Sequence, residues 1–200
     1  CGISRVVMFV LNGLVMLYVY SSANMTLLCF FSRENQIRNT KTTQVHDLAV
    51  SSDGEKIYTA SSSKEIHEYR TTESGKSKLK IQEKGQIMSM VLASNDRHLF
   101  LQIANVEIRV WDLLDTVVLQ RYRGPRCGRF VIRSSLGGFD QNLIASGSED
   151  SQIYIWYRRT GELLRVLGGH SASVSSIAWS PKHPCLLASA SDDHTVRLWS

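Results

Sequence analysis

Residues 145–156 read ASGSEDSQIYIW, and residues 188–199 read ASASDDHTVRLW, a position-for-position match 43 residues later. This near-duplication constrains the fold more than any other feature of the chain. In the second copy, Leu186 to Ser191 is a short apolar and small-residue strand, and Asp192-Asp193-His194 is a polar turn. Thr195 to Trp199 then alternates, with Val196 and Leu198 on one face and Thr195, Arg197 and Trp199 on the other. Each copy is therefore an antiparallel hairpin. A lone hairpin is marginal in water, so such units must stack and bury one another's faces.

The period extends back through the chain. The position of the closing aromatic is held by Tyr69, Trp111, Trp156 and Trp199, at spacings of 42, 45 and 43 residues. Three residues before each stands a β-branched side chain: Ile66, Ile108, Ile153 and Val196. Ten before stand Thr59, Leu101, Ser146 and Ser189; six before stand Ser63, Asn105, Asp150 and Asp193. The repeat is degenerate in its first two copies and sharp in the last two. Opening strands are expected at 45–50, 87–92, 130–133 and 174–179. Turns are expected after them at 52–54, 94–96, 136–138 and 180–182, where Gly, Asp and Pro supply turn geometry. Helical periodicity is weak throughout.

Gly169-His170, followed by two strands ending in Trp199 on a period near forty, resembles a WD40 propeller blade. The expected fold class is all-β: a WD40 β-propeller fragment of four blades, about 41–82, 83–123, 124–166 and 167–200, out of a total of about seven or eight. The resemblance implies a structural blade lock in which Asp193 fixes the imidazole of His170, the imidazole bonds Ser189, and the hydroxyl meets the indole N–H of Trp199. Such a network stabilises only when every buried member is paired. A Ser/His/Asp set also invites a catalytic reading, but repeat position accounts for all of its residues, and no enzyme activity is expected. Pro125 stands where the family has His after Gly124, which places the lock of the third blade in doubt. Ser63 in place of the turn Asp is a milder loss in the first.

Within that family, Arg129 to Asp140 and Ile144 to Trp156, with Lys64-Glu65-Ile66, Val106 to Asp112 and Ala188 to Trp199, look like the C-terminal blades of the WD-repeat protein twenty-six family, in its plant-like phrasing. The resemblance covers about residues 41–200. It implies a scaffold subunit of a CTLH (GID-type) E3 ubiquitin ligase that recruits protein partners or substrates for proteasomal degradation, in the cytoplasm and the nucleus. It also implies LisH and CTLH helical modules, which do not lie within these residues. A G-protein-β-like signalling scaffold is the alternative, followed by a secreted or membrane-tethered propeller enzyme. The Trp-Asp-x-Arg phrase of cullin adaptors is incomplete both at Trp156-Tyr157-Arg158-Arg159 and at Trp111-Asp112-Leu113-Leu114.

Residues 1–40 do not join the repeat. Val6 to Tyr20 is apolar except for Asn12-Gly13. It reads as a non-native stretch from an intron or a misjoined exon, as a hairpin turning at Asn12-Gly13, as a signal-peptide core behind Arg5, or as a membrane helix shorter than the roughly 20 residues a span needs. Starting at Cys1 and stopping one residue past Trp199, the chain is expected to be part of a longer protein. Its last sheet is then one strand short, and Thr26 to Phe31 is strand-like material for that edge or for the first blade. Cys1, Cys29, Cys127 and Cys185 lack Cys-x-x-Cys spacing, which argues for reduced thiols and against a metal site or disulfide scaffold.

The remaining signal is basic. Between Arg121 and Arg133, five arginines fall in thirteen residues, and Arg158, Arg159 and Arg165 follow in the next loop. Arg121, Arg123, Arg126 and Arg129 are the candidate partner-binding residues, for an acidic protein surface held by guanidinium forks. A solvated loop is the competing reading. Arg133 is weaker because a strand is expected there. A net charge of +5 with sparse aromatic interleaving does not point to nucleic acid. No cofactor, metal, small-molecule ligand or membrane partner is expected. Asp192-Asp193-His194 with His183 reads as a turn and an exposed histidine rather than a metal site.

Overall fold

The computed structural model describes residues 44–72, 77–128 and 130–200 in full, together with the backbone of three earlier strands: Arg5–Leu11 (β1), Leu14–Tyr20 (β2) and Met25–Phe31 (β3). Two compact units result, Cys1–Thr40 and Lys41–Ser200. In the first, β1 pairs antiparallel with β2, with Leu11 opposite Leu14, and β2 pairs with β3. The described residues of Arg5–Leu11 and Leu14–Tyr20 are thus paired strands and not a helix, as the hairpin reading expects. Their β-branched and aromatic content suits a pleated sheet. Among the described residues no helix is long and apolar enough to cross a membrane. The expectation that Thr26 to Phe31 joins a blade is corrected, because β3 pairs with β2. A connection of four residues closes that pairing at far less entropy than a crossing to a distant sheet.

The second unit is four sheets in a row. Blade 1 holds Val45–Val50 (β4), Lys56–Ser61 (β5), Glu65–Arg70 (β6) and Ser77–Gln82 (β7). Blade 2 holds Ile87–Leu92 (β8), His98–Ile103 (β9), Glu107–Asp112 (β10) and Val117–Tyr122 (β11). Blade 3 holds Ser134–Gly137 (β12), Leu143–Gly147 (β13), Gln152–Tyr157 (β14) and Leu163–Gly168 (β15). Blade 4 holds Val174–Trp179 (β16), Leu187–Ser191 (β17) and Val196–Trp199 (β18). Each strand pairs antiparallel with the next. In the four-stranded blades the first and third connections therefore lie at one end of the sheet, and the second connection, with the link to the next blade, at the other.

Packing follows from alternation. In β9, Leu99, Leu101 and Ile103 enter a core shared with Tyr58, Ala60, Ile66 and Ile81 of blade 1. Phe100, one pleat over, enters a core with Ile144 and Trp156 of blade 3. A third core joins Ala145 and Ile153 to Val174, Ile177 and Leu187. The opening strands follow one another from blade to blade, β4 against β8, β8 against β12 and β12 against β16. Where no described sheet lies alongside, apolar residues stay in solvent: Val196 and Leu198 are each 70% exposed. One glycine is required by this stacking, since a Cβ on Gly147 would lie 2.1 Å from the Val174 carbonyl oxygen of the next blade.

One opening strand differs from expectation. It is Ser134–Gly137, not 130–133, so residues 136 and 137 are strand rather than turn. The backbone of the expected stretch is engaged by its neighbours instead. The Ile132 carbonyl accepts from the Ser89 hydroxyl of blade 2 at 2.9 Å, and the Arg133 N–H donates to the Ser175 carbonyl of blade 4 at 3.0 Å. Pairing with β13 begins only at Ser134, opposite Ser146.

Candidate interaction site and the polar locks that position it

In blade 4, His170 Nδ1 lies 2.7 Å from Asp193 Oδ2, and Nε2 lies 2.8 Å from Ser189 Oγ. A carboxylate only accepts, so Nδ1 carries a proton and donates to it. The Trp199 indole donates to the same Ser189 oxygen at 2.8 Å. Asp193 also accepts from the Ser171 and Thr195 amides and the Thr195 hydroxyl. The Thr195 hydroxyl, outweighing burial and seconded by His170, holds its carboxyl well below the usual range. Ser189 is 1% exposed, with its hydroxyl spent on two neighbours. His194 adopts the left-handed conformation of the hairpin turn, as Lys64, Asn105 and Ser151 do in the other blades. Among the described residues no group of His, Cys, Asp or Glu is placed to hold a metal ion.

Blade 2 fills the same place with ions. Glu83 stands 28 residues before Trp111, much as His170 stands 29 before Trp199. Its Oε1 accepts the Trp111 indole N–H at 2.7 Å, and its Oε2 takes Arg109 Nη1 at 2.6 Å. Arg109 Nε donates in turn to Glu107, 2.8 Å away. Glu107 is the hub, accepting also from Arg121 at 2.6 Å and Arg123 at 2.9 Å. Burial pushes its carboxyl up, but the three guanidiniums outweigh burial and hold it at about 2.

Blade 3 uses a phenol. With Pro125 in the histidine's place, the Tyr154 hydroxyl donates to Asp150 Oδ2 at 2.7 Å. The Tyr154 ring stacks on Trp156 with centroids 5.9 Å apart. Burial first, then the bond to Asp150, raises the phenol to about 12. Gly124, at φ 131°, is the residue against which the ring lies, and a Cβ there would come 2.9 Å from it. The family's lock is thus not rebuilt in blade 3: a phenol holds Asp150 in place of an imidazole, and the Ser146 hydroxyl donates to the Gly147 carbonyl at 2.9 Å. In blade 1, Ser63 bonds both Ser61 and Glu65, and Glu65 bonds His67 at 3.0 Å.

The arginine stretch is partly consumed by this chemistry. Arg121 lies in β11, not in a loop, and with Arg123 it is tied to Glu107. Arg129 lies outside the described residues. Arg126 is exposed, and its amide N–H donates to Ser148 Oγ at 2.8 Å, which fixes the loop to the turn between β13 and β14. Arg133 is exposed rather than in a strand, 3.7 Å from Asp47. The loop thus presents Arg126 and the outer side of Arg123, whose side chain is 76% exposed. Sequence reading missed Glu83, Glu107, Arg109 and Tyr154. Counting back from Trp111 would have found Glu83.

Known proteins resemble the chain in the same region. The family description "WD domain, G-beta repeat" matches residues 120–157 and 161–200. A WD repeat-containing protein 26 homolog of Arabidopsis thaliana is 39% identical over 163 residues, 81% of this chain and 27% of that protein. The WD repeat-containing protein WDS homolog of the same plant is 41% identical over 163 residues, 81% of this chain and 31% of the relative. GID complex subunit 7 of Schizosaccharomyces pombe is 34% identical over 163 residues, 78% of this chain and 32% of the relative. The chain thus spans about a third of the length of these relatives. The solved structure of the computationally designed Ika4 protein superposes with a TM-score of 0.63 at 19% identity, over 80% of this chain and 92% of that one, which supports the fold alone. With its repeating four-stranded sheets, its blade-closing tryptophans and these relatives, the chain is a propeller fragment that belongs to the WD-repeat family of the WD repeat-containing protein 26 homologs.

Proposed function

We propose that this segment is a non-enzymatic protein-interaction scaffold, part of a GID/CTLH-type E3 ubiquitin ligase subunit that recruits partners or substrates for proteasomal degradation in the cytoplasm and nucleus. The observation that carries the reading is the 34% identity to GID complex subunit 7 over 78% of this chain. The buried, doubly bonded Ser189 hydroxyl speaks for a structural rather than catalytic His/Asp/Ser set. Recruitment uses the loop carrying Arg123 and Arg126, whose exposed guanidiniums suit an acidic protein surface. Charge of this kind on a rim mainly speeds encounter and weakens with salt.

The test is affinity capture of ligase subunits by the full-length protein, with association rates at low and high salt. Replacing Arg123 and Arg126 with Ser is expected to slow association and flatten its salt dependence, with the fold kept. Arg126 is exposed, where substitutions usually change stability by about 0.5 kcal/mol or less, and loss of Arg123 leaves Glu107 the guanidiniums of Arg109 and Arg121. Capture and salt dependence identical to wild type in the folded double variant would reject the loop as the recruiting surface. Failure of the wild-type protein to capture any ligase subunit would reject the ligase assignment itself.

A further inference from the structure

Arg158 stands where the preceding blade has a leucine. Leu113, two residues after Trp111, is buried in the core between blades 1 and 2; Arg158, two residues after Trp156, enters the space between blades 2 and 3. Its guanidinium carbon lies 5.2 Å over the Phe100 ring. Nη1 donates to the Gln141 carbonyl at 3.3 Å, and Nη2 donates to His98 Nδ1 at 2.8 Å. The Tyr122 hydroxyl donates to the Arg158 carbonyl at 2.5 Å, pinning the backbone below. Among the described residues Arg158 makes no ion pair, and Asp140 acts on it only at longer range. A cation drawn between two sheets without a counter-charge is costly. The leucine at the equivalent place shows that closing two blades does not require one.

Beside the guanidinium opens a cleft of about 350 Å³. Its polar wall is His98, Gln120, Asn142, Arg158 and Arg159, with the Asp140 carboxylate on the same lip. Because His98 Nδ1 accepts from Arg158, its proton sits on Nε2, and burial and the guanidinium together favour this neutral ring. Arg158 keeps unspent N–H donors from a group with five. The wall is therefore rich in donors around a fixed cation.

We propose that this cleft between blades 2 and 3 binds a carboxylate side chain from an acidic segment of a partner protein, with Arg158 as its anchor and Arg159 as the second cation. A guanidinium fork matches a carboxylate in two parallel hydrogen bonds. The cleft lies at the sheet end that carries β9's start and β14's close. The arginine loop is at the opposite end, so this surface is separate from the one invoked for ligase recruitment and does not rest on that reading.

The experiment measures fluorescence anisotropy of a labelled glutamate-rich peptide, and of its glutamine counterpart, on the full-length protein. Arg158→Leu installs the residue that blade 2 already uses, so the variant is expected to stay folded and melt no lower than wild type. It is expected to lose at least about tenfold in affinity for the glutamate peptide, or ~1.4 kcal/mol, with the glutamine peptide weak on both proteins. Equal affinity of wild type and Arg158→Leu would overturn the proposal, as would equal binding of the two peptides. Unfolding of Arg158→Leu would overturn it by making the guanidinium structural. Displacement of the peptide by inorganic phosphate but not by free glutamate would overturn it in favour of a phosphate site.

Discussion

In blade 4 the indole of Trp199 donates to a serine hydroxyl, and that hydroxyl is held by an imidazole whose other nitrogen meets Asp193. In blade 2 the indole of Trp111 donates to the carboxylate of Glu83, and the chain of partners runs through Arg109 to Glu107 and out to two exposed arginines. Both blades give the partly buried indole N–H a short acceptor. What the fold requires at this place is therefore an acceptor with all its own partners satisfied, not a particular side chain. The difference lies in what else each lock does. The blade-4 lock ends inside its blade. The ionic lock reaches the surface and takes up Arg121 and Arg123, two of the residues the sequence offers for partner binding.

The sharpest way to break this comparison is to remove the ionic hub. Glu107→Ala leaves Arg109 half-buried beside a lone Glu83 and releases two surface arginines. A loss of about 2–4 kcal/mol is expected, the scale of breaking a buried ion pair, reduced because Arg121 and Arg123 are solvent-screened. Chemical denaturation checks it; a midpoint equal to wild type would mean the network contributes nothing. Next in size is His170→Ala, expected to cost ~1–3 kcal/mol by taking a buried partner from both Ser189 and Asp193. A thermal melt unmoved by that change would mean the blade-4 network is wet or dispensable.

Acid probes both locks, because each contains a carboxyl held below its ordinary range. Glu107 has a folded value of about 2 against an ordinary 4.5. A depressed carboxylate stabilises fully above its unfolded value and loses that contribution as pH falls toward the folded one. Stability from the blade-2 lock is thus expected to drain between about pH 5 and pH 2, and the Glu107→Gln variant is expected to show a flatter profile there. An identical acid profile for wild type and Glu107→Gln would contradict the assignment.

Much of this was legible in the residues before any geometry. The period of the closing aromatics located the sheets, and the His170–Ser189–Asp193–Trp199 set stood at its expected spacings. Blade 2 was harder, because a carboxylate at position 83 does not look like an imidazole although it does the same work on the indole. Its partners Arg109 and Glu107 sit two and four residues before Trp111 on a strand face, where they read as ordinary surface charge. Ser134-Ser-Leu-Gly137 lacks any β-branched residue, so the more apolar 130–133 drew the strand assignment; register against β13 decided otherwise. Tyr154 went unseen because Pro125 signalled only a missing histidine.

Blade 3 sharpens the comparison with smaller effects. Tyr154→Phe removes one buried donor to Asp150 and keeps the ring stacked on Trp156, so a cost of ~1 kcal/mol is expected by thermal melting. A melt more than about 3 kcal/mol lower would show that the hydroxyl carries more than this bond. Restoring the family's residue with Pro125→His is expected to change stability by about 0.5 kcal/mol or less, since Asp150 is already engaged by Tyr154. A clear gain would mean the phenol is a poor substitute for the imidazole.

The central claim is that Glu83 does for Trp111 what Ser189 and His170 do for Trp199. Hydrogen exchange of the assigned indole N–H groups, followed by NMR in the full-length protein, tests it most directly. Both indoles are expected to be protected in the wild type. Glu83→Ala should release Trp111 alone, and His170→Ala should speed Trp199 alone. Rapid exchange at Trp111 in the wild type, or protection that survives Glu83→Ala, would contradict the account.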